Sequence, residues 1–322
     1  MKTILLTNHY PQGPYDIVRA ELPDGFRLVM LEENSQSCLE EAAPQADYLL
    51  ASGRVKINKA VLDRAVNLKM VQRTGVGLDS LDLSELKARG IPLYVNAGVN
   101  AESVAEHALL LILGCLRRLP EVHRNTAAGI WKKQAQGVKT RELAGRTVGL
   151  IGMGSIARTL VKLLGGFGVT VLYYDPFRLS EERERELGVT YTDIDTLLRE
   201  SDIVSLHCPL TDDTRHLMDA VNLAKMKDGA ILVNTARGGL VDTAALANAL
   251  NGSKLSFAGL DVHEQEPIAA DNPVLKLDNA ILTPHIGGVT YDSFRAMMHD
   301  AMRNIALYDE GRLDEIAPYL KQ

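Results

Sequence analysis

The sequence predicts an α/β fold that contains two doubly wound parallel-sheet domains. Its 322 residues are about twice the length of an ordinary single domain. Short β-rich apolar runs alternate with helical patterns along the chain, and nearly continuous apolar strands are typical of parallel sheets covered on both faces. These runs fall into two series, which indicates two sheets of this kind.

The strand candidates fix the order of the predicted elements. The first series lies at residues 3–7, 26–31, 48–51, 70–73 and 93–95, and the second at 147–151, 169–174, 203–206, 230–234, 257–260 and 280–283. Between them, residues 100–119 repeat apolar side chains at helical spacing and are expected to form a joining helix. Ser103 and Glu106 fit a capping box at its start. A closing helical segment, 291–308, has a broad apolar face and could return to the first domain.

Charge and composition argue against several classes of protein. Lys and Arg number 35 and Asp and Glu 41, so the net charge is −6, which disfavours general nucleic-acid binding but permits a small anionic ligand. The longest apolar run, Ala108–Leu116, has nine residues, whereas a membrane span needs about 20. The apolar stretch Ile4–Leu6 is too short for a signal peptide. Three scattered cysteines without metal-ligand spacing favour a cytoplasmic protein that binds no metal.

A glycine-rich turn follows the first strand of the second series. Gly152 allows a tight turn, Gly154 lets a pyrophosphate approach the backbone, and the small Ala157 lets helix and strand pack closely. The N-terminus of the following helix offers free N–H groups to phosphate oxygens. This pattern alone is weak, because glycine-rich turns also occur in unrelated α/β proteins.

Asp175 makes the pattern more specific. It ends the next strand, 21 residues after Gly154, where a carboxylate would accept hydrogen bonds from the adenosine ribose. The same charge would repel a 2′-phosphate, so NAD is favoured over NADP. Two alternatives remain: Asp175 as a solvated turn residue, and Arg178 as a guanidinium that tolerates a phosphate.

Three further motifs follow predicted strands, at the sheet edge where open α/β folds bind ligands. They are residues 234–239 (NTARGG), 261–267 (DVHEQEP) and 283–288 (TPHIGG). Together with residues 73–79 (RTGVGLD), 100–107 (NAESVAEH) and the glycine turn, they resemble the D-isomer-specific 2-hydroxyacid dehydrogenases. That family includes phosphoglycerate, glycerate and D-lactate dehydrogenases, and the resemblance covers nearly the whole chain.

The resemblance implies an NAD-dependent oxidoreductase that interconverts a small D-2-hydroxy acid and its 2-keto acid by hydride transfer. It also implies a Rossmann-type NAD-binding domain at residues 100–289 and a discontinuous, flavodoxin-like substrate domain at 1–99 and 290–322. A homodimer is expected as well, with the apolar stretch 108–119 and Trp131 as plausible interface parts. Burial within one subunit explains the apolar stretch equally well.

Three residues would carry the chemistry by this resemblance. Arg237 would bind the substrate carboxylate and polarise the adjacent ketone. His285 would exchange a proton with the carbonyl oxygen, a task that suits histidine because imidazole can gain and lose a proton near neutral pH. Glu266 would orient and charge the imidazole, although Glu264 competes for that role. The simpler alternatives are a surface Arg237, a turn residue Glu266 and a core His285.

Cofactor and substrate contacts follow from the same motifs. Ser155 and Ile156 should cover the pyrophosphate, and Cys208 and Pro209 should pass under the adenosine. The residues expected near the nicotinamide are Thr235, Ala236, Asp261, whose carboxylate would accept from the carboxamide, and Gly287. Backbone N–H groups around Val76 and Gly77 should bind the substrate carboxylate. His107, His207 and His263 are assigned structural roles, although His263 could line the site.

The sequence also permits functions other than a 2-hydroxyacid dehydrogenase. A regulatory scaffold that binds NADH, as in corepressors resembling this family, would keep the cofactor site without catalysis. Formate and phosphite dehydrogenases share the architecture, but formate enzymes of this type have glutamine where this chain has Glu266. Arg54 and Lys56 could bind a second anionic group or could be solvated charges. The sequence does not identify the hydroxy acid.

Overall fold

The computed structural model describes residues 1–321 and separates the chain into two compact units. The first contains Met1–Asn100 together with the segment from Tyr291 to the end of the described chain, and the second contains Ala101–Thr290. Each unit has its own sheet, and all the strand pairs are parallel. The predicted α/β class with two parallel sheets is therefore confirmed.

The first unit begins with alternating strands and helices: β1 (Lys2–Leu6), α1 (Gln12–Ala20), β2 (Phe26–Met30), α2 (Gln36–Ala42), β3 (Tyr48–Ala51), α3 (Lys59–Arg64), β4 (Met70–Arg73), α4 (Leu83–Ala88) and β5 (Leu93–Val95). The strands lie in the order β2-β1-β3-β4-β5, the flavodoxin-like arrangement. Helices α2, α3 and α4 each follow a polar residue whose side chain accepts the backbone N–H three residues later, namely Ser35, Asn58 and Asp82.

The second unit opens with three helices, α5 (Ala101–Leu116), α6 (Leu119–Ala127) and α7 (Lys133–Gly137). It continues as β6 (Thr147–Ile151), α8 (Ser155–Leu164), β7 (Thr170–Tyr174), α9 (Glu181–Leu187), β8 (Val189–Tyr191), α10 (Ile194–Glu200), β9 (Ile203–Leu206), α11 (Ala220–Lys225), β10 (Ala230–Asn234), α12 (Thr243–Asn251), β11 (Leu255–Leu260) and β12 (Ala280–Leu282). The strand order is β12-β11-β10-β9-β6-β7-β8. The direction of winding changes between β6 and β9, where Rossmann-type sheets bind dinucleotides.

The last segment completes the first unit with α13 (Tyr291–Asp309) and α14 (Leu313–Ile316). The Asn96 amide donates to the Met297 carbonyl at 2.7 Å, which anchors α13 beyond the end of β5. The apolar face of α13 packs into the same core as the first strand, through Phe294, Met297, Met298, Ala301, Met302 and Ile305.

Close packing fixes α5 on the sheet of the second unit. A Cβ at Gly259 in β11 would lie 2.9 Å from the Leu111 Cβ and 3.3 Å from the Cys115 sulfur, so this position has room only for glycine. Most of the apolar run 108–116 belongs to the core of the second unit, whereas Leu110 is exposed. Within residues 1–321, no helix combines the length and hydropathy needed to cross a bilayer.

Three local features differ from the sequence-based description. Strand β8 was not predicted, since only Val189 of its three residues is buried and the segment has no continuous apolar run. The joining helix stops at Leu116, and Arg118 adopts a left-handed φ of 50° before α6 begins. The capping-box interpretation is wrong: Ser103 lies inside α5, and its hydroxyl donates to the Gly287 carbonyl at 2.7 Å.

Candidate active site

The glycine turn lies between β6 and α8, at the carboxyl end of the strand. Gly152 has a φ of 96°, and a Cβ there would lie 2.7 Å from the backbone of His207 and Cys208. Only glycine fits this position. By contrast, nothing lies within 4 Å of a Cβ built on Gly154, which precedes α8. The backbone is therefore open at the point where a pyrophosphate would approach.

Asp175 follows β7 and lies beside this turn. One carboxylate oxygen accepts the backbone N–H of Met153 and the other that of Phe177, each at 2.8 Å. These bonds orient the carboxylate and leave it half-buried, with lone pairs still able to accept from a ligand. A negative charge is thus fixed at the edge of the glycine turn.

Arg178 forms an ion pair with Glu184, so its guanidinium is not available for a cofactor phosphate. Its guanidinium donates to both oxygens of Glu184, at 2.8 and 3.0 Å, and lies 5.0 Å above the Tyr191 ring. The Tyr173 hydroxyl also donates to Glu184 at 2.7 Å. Arg178 and this hydroxyl lower the pKa of Glu184 to about 2, so the ion pair persists at neutral pH. A bidentate pair of this kind opposes the recruitment of Arg178 by a 2′-phosphate.

The loop after β9 passes behind the glycine turn. Burial lowers the pKa of His207 to about 4, so its imidazole is neutral, and its Nε2 lies 2.9 Å from the Ser205 hydroxyl. Burial also raises the pKa of Cys208 to about 11, which keeps its thiol protonated. Pro209 is exposed. His207 therefore has a structural position, and Cys208 and Pro209 lie on the side expected for the adenosine.

The turn that carries Arg237 is shaped by Asn234, a buried residue to which the sequence assigned no role. The Asn234 side chain accepts the Ala236 N–H at 3.0 Å and donates to the Arg237 carbonyl at 2.8 Å. A Cβ on Gly238 would lie 2.0 Å from the His263 carbonyl. The Arg237 turn is therefore in direct backbone contact with the loop that contains Glu266.

Glu266 and His285 form a pair. Nδ1 of His285 lies 2.7 Å from one carboxylate oxygen of Glu266, and the other oxygen accepts the backbone N–H of His263 at 3.0 Å. Burial raises the pKa of Glu266, but the hydrogen bonds from His285 and His263 outweigh it and hold that pKa below its usual value. Glu264 is directed elsewhere, to His216. The structure thus brings Glu266, and not Glu264, to the imidazole.

His285 adopts a φ of 58°, a left-handed backbone that is strained for a non-glycine residue. Asp261 holds it there. The Asp261 carbonyl accepts the His285 N–H at 2.7 Å, and its carboxylate accepts the N–H groups of Ile286 and Gly287 at 3.0 and 2.8 Å and the Thr283 hydroxyl at 2.5 Å. The Asp261 side chain therefore bonds inward and organises the turn.

His107 supports this turn from α5. Its Nε2 lies 2.9 Å from the Thr283 hydroxyl oxygen, which itself donates to Asp261, so Nε2 carries the proton. Burial raises the pKa of Asp261, but His107, Thr283 and the two N–H groups lower it to about 2. A Cβ at Gly287 would lie 2.9 Å from the Asp261 carboxylate, which explains the glycine. The sequence places His107 on the helix but gives no sign of this contact.

The loop with Val76 and Gly77 belongs to the first unit. The Arg73 side chain, at the end of β4, donates to the Gly77 carbonyl at 2.7 Å and to the Ala51 carbonyl at 3.1 Å. Val76 is half-exposed at 48%. Arg73 thus shapes the loop expected to bind a carboxylate, a role that the sequence did not indicate.

Comparison with known proteins identifies the family. Residues 109–287 match the model described as D-isomer specific 2-hydroxyacid dehydrogenase, NAD binding domain. The hydroxypyruvate reductase of Thermotoga maritima is 41% identical over 259 residues, which cover 80% of this chain and 83% of that protein. The glyoxylate reductase of Korarchaeum cryptofilum is 38% identical over 306 residues, 94% of this chain and 91% of that one.

A solved structure agrees across the entire fold. The D-lactate dehydrogenase of Aquifex aeolicus, complexed with NAD and lactic acid, superposes with a TM-score of 0.89 at 30% identity, covering 99% of this chain and 98% of that one. The chain belongs to the D-isomer-specific 2-hydroxyacid dehydrogenase family. It is an NAD-dependent oxidoreductase, as predicted, and the comparisons give no support to the regulatory scaffold.

The residues of this dehydrogenase fit an NAD molecule. The Thr235 hydroxyl is buried and has no hydrogen-bond partner within residues 1–321, although buried polar groups are almost always paired. It lies next to Arg237, where the sequence places the nicotinamide. Open space at Gly154 and the oriented carboxylate of Asp175 supply the other two features that a dinucleotide needs.

Gly154→Val should abolish tight NADH binding without unfolding the protein. Its backbone, with φ −74°, accepts an L side chain, and the surrounding space is empty, so the new methyl groups obstruct only the ligand. We expect the Kd for NADH to rise by at least about tenfold, measured by fluorescence titration. Gly165→Val, at the other end of α8 and equally free of neighbours, is the control. Unchanged NADH affinity in Gly154→Val would contradict the assignment of this turn.

Asp261→Asn should destabilise the protein at neutral pH. The pKa of Asp261 is about 2, below the usual 3.8, so its contribution is present above about pH 4 and lost as the pH falls towards 2. At pH 7 we expect the free energy of unfolding, measured by urea titration, to be about 2 kcal/mol lower in the variant than in the wild type. This difference between the two proteins should become smaller below pH 4. Asp228→Asn, at an exposed carboxylate, should stay near wild type. A difference in unfolding free energy that does not change with pH would disprove the stabilising role of the charged Asp261 carboxylate.

Proposed function

We propose that Arg237, Glu266 and His285 catalyse the reaction of this dehydrogenase, and that its substrate is a small D-2-hydroxy acid or the matching 2-keto acid. One observation carries the proposal. Glu266 lies 2.7 Å from Nδ1 of His285, in a loop whose backbone packs against the Arg237 turn. An oriented imidazole and a guanidinium in adjoining loops suit a substrate that has a carboxylate next to a carbonyl.

His285 is the acid and base in this proposal. Because Glu266 occupies Nδ1, Nε2 is the nitrogen that exchanges a proton with the substrate oxygen. In the direction of reduction, Nε2 donates its proton to the carbonyl oxygen. In oxidation, it removes the proton from the hydroxyl. The lowered pKa of Glu266 keeps its carboxylate charged at neutral pH, so it stabilises the imidazolium form.

Arg237 binds the substrate carboxylate. Its planar guanidinium offers paired donors, and the Asn234 side chain fixes the backbone of the turn from which the guanidinium extends. We assign the backbone N–H groups of the loop at Val76 and Gly77 to substrate binding, and the first unit accordingly to the same task. The second unit is then the cofactor domain.

The residues that would hold NAD follow the carboxyl edge of the second sheet. We assign the pyrophosphate to Gly152, Gly154, Ser155 and Ile156, and the ribose to Asp175. The adenosine would lie on Cys208 and Pro209. Near the nicotinamide we place Thr235, Ala236, Asp261 and Gly287, with Asp261 acting chiefly through the turn that it organises. When bound, the nicotinamide supplies the hydride in reduction and accepts it in oxidation.

The names of the relatives narrow the choice of substrate. They include a hydroxypyruvate reductase, a glyoxylate reductase and a D-lactate dehydrogenase, all of which point to acids of two or three carbons. We therefore propose glyoxylate, hydroxypyruvate or pyruvate as the keto acid reduced. Free thiols at all three cysteines fit the reducing cytoplasm as the compartment.

Reduction of these three keto acids, followed as loss of NADH absorbance, tests the proposal. We expect turnover with at least one of them. His285→Ala should lower kcat by about 10²–10⁴-fold because no group remains to deliver the proton, while the Kd for NADH stays unchanged. Glu266→Gln should make reduction fail at a lower pH than in the wild type, because the protonated imidazole loses its anionic partner. Near-normal turnover in His285→Ala would refute the catalytic assignment.

A homodimer is part of the same proposal. Exposed apolar side chains cluster in sequence after and along α5, with Trp131 80% exposed, Val138 73%, Leu110 56% and Leu119 51%. A contiguous exposed apolar patch commonly marks an interaction surface, and we assign these side chains to the dimer interface. Light scattering should give twice the chain mass, and Trp131→Ser should shift the species towards monomer, whereas Val66→Ser, equally exposed in the first unit, should not. A monomeric wild type at high concentration would contradict the dimer.

A further inference from the structure

A second histidine–glutamate pair lies next to the proposed catalytic one. Within residues 1–321, four non-glycine residues have a positive φ, and two of them are His216 and His285. Each of these histidines is bonded to a glutamate of the same short loop: His285 to Glu266, and His216 to Glu264 at 2.7 Å. The proposed function uses only the first pair. The second pair holds a strained backbone without touching a reacting group.

The His216 backbone is joined to the segment that follows Arg237. Its N–H donates to the Gly239 carbonyl at 2.8 Å, and the next residues continue the contact, with the Met218 N–H on the Leu240 carbonyl at 2.9 Å. Met218 and Val241 form a parallel bridge. The position of the Arg237 turn is therefore coupled to the position of His216.

Glu264 connects the same assembly to the loop of Glu266. One carboxylate oxygen pairs with His216, and the other accepts the N–H of Thr243, the first residue of α12, at 3.1 Å. Hydrogen bonds from Thr243 and His216 outweigh the effect of burial and keep the pKa of Glu264 below its usual value. The Glu264 backbone lies where a Cβ on Gly238 would approach within 2.5 Å.

We propose that His216 and Glu264 are positioning residues, which fix the loop of Glu266 and His263 against the Arg237 turn. The contacts form a closed circuit: residues 216–218 along 239–241, Gly238 on 263–264, and Glu264 back to His216. These contacts hold two segments together. One contains the Arg237 guanidinium, and the other contains Glu266, which pairs with the His285 imidazole, and both groups must act on one substrate. This inference rests on the proposed function, because it concerns the placement of those three residues.

The circuit explains why Glu264 does not serve His285. Its side chain is committed to a donor from each of two other segments, whereas Glu266 receives a backbone donor from its own loop and is left to face the imidazole. The loop thus gives its two acidic residues different tasks. One fixes the loop on the scaffold, and the other reaches the reacting centre.

A double-mutant cycle on His216→Ala, Glu264→Ala and their combination tests this inference. Because a shift of about 1 Å at a reacting centre costs about 10²-fold in rate at most, we expect each single variant to lower kcat for the keto acid by about tenfold. The double variant should be no worse than Glu264→Ala alone, since the side chain of His216 has no Glu264 carboxylate left to bond once Glu264 is truncated. The Kd for NADH should stay within about twofold of the wild type, which a general loss of folded protein would not allow.

Two further variants make the test specific. His216→Gln places a neutral donor near the position of Nε2 and should restore most of kcat. His299→Ala removes an exposed histidine that bonds to Glu21 at 2.8 Å in the first unit, and it should retain wild-type kcat. Should Glu264→Ala fail to bind NADH, the comparison of His216→Ala with His216→Gln decides the matter alone.

Three results would overturn the positioning role. The first is a wild-type kcat in both single variants, and the second is a loss of kcat in the double variant equal to the product of the two single losses. The third is a loss of kcat in Glu264→Ala but not in His216→Ala, which would mean that Glu264 acts independently of His216. His285→Ala, assayed in parallel, separates this inference from the proposed function. If that variant loses turnover while both single variants keep it, the catalytic assignment stands and the positioning role does not.

Discussion

The buried carboxylate of Asp261 is the constraint on which the candidate active site depends. It accepts two successive backbone N–H groups and a hydroxyl, and its own carbonyl accepts the N–H of His285. Without these acceptors, the left-handed backbone at His285 would be free to relax, and the imidazole would no longer face Glu266. The backbone that carries the exposed His285 side chain is thus held by Asp261, a residue with 1% exposure.

Sequence patterns predicted those features that depend on local spacing. The two parallel sheets were predicted from continuous apolar strands, a pattern that each strand carries by itself. The proposed dinucleotide turn was predicted from the spacing between Gly154 and Asp175, which lie in one strand–helix–strand unit. The pairing of Glu266 with His285 was accessible only through the family resemblance, which supplied a spatial relation between distant residues. The competing Glu264 shows why: two acids separated by one residue differ only in what they contact.

Most of the features that the sequence missed depend on tertiary contacts. His107 bonds to Thr283 and Arg73 to the Ala51 carbonyl, both far away in the chain, and nothing in their immediate neighbours signals this. Asn234 is different, because it makes a local turn with Ala236 and Arg237 of the kind that asparagine favours, so its role could have been predicted from the sequence. Ser103 was misread because its spacing to Glu106 matches a cap, whereas the helix begins two residues earlier and the hydroxyl serves Gly287. Strand β8 was missed because its three residues, unlike those of the equally short β5, do not form a continuous apolar run.

The discontinuity of the first unit has a consequence for how the chain is made. One face of its sheet is covered by α13, which is synthesised only after the whole second unit. Residues 1–100 therefore leave the ribosome before α13 exists, so Ile4, Leu6 and Tyr48 lack the part of their core that α13 supplies. The second unit, once synthesised, possesses every residue of its own core. We therefore expect the second unit to fold before the first, although most of the first is synthesised earlier. A nascent chain stalled before α13 would expose the uncovered apolar face of the first sheet to chaperones.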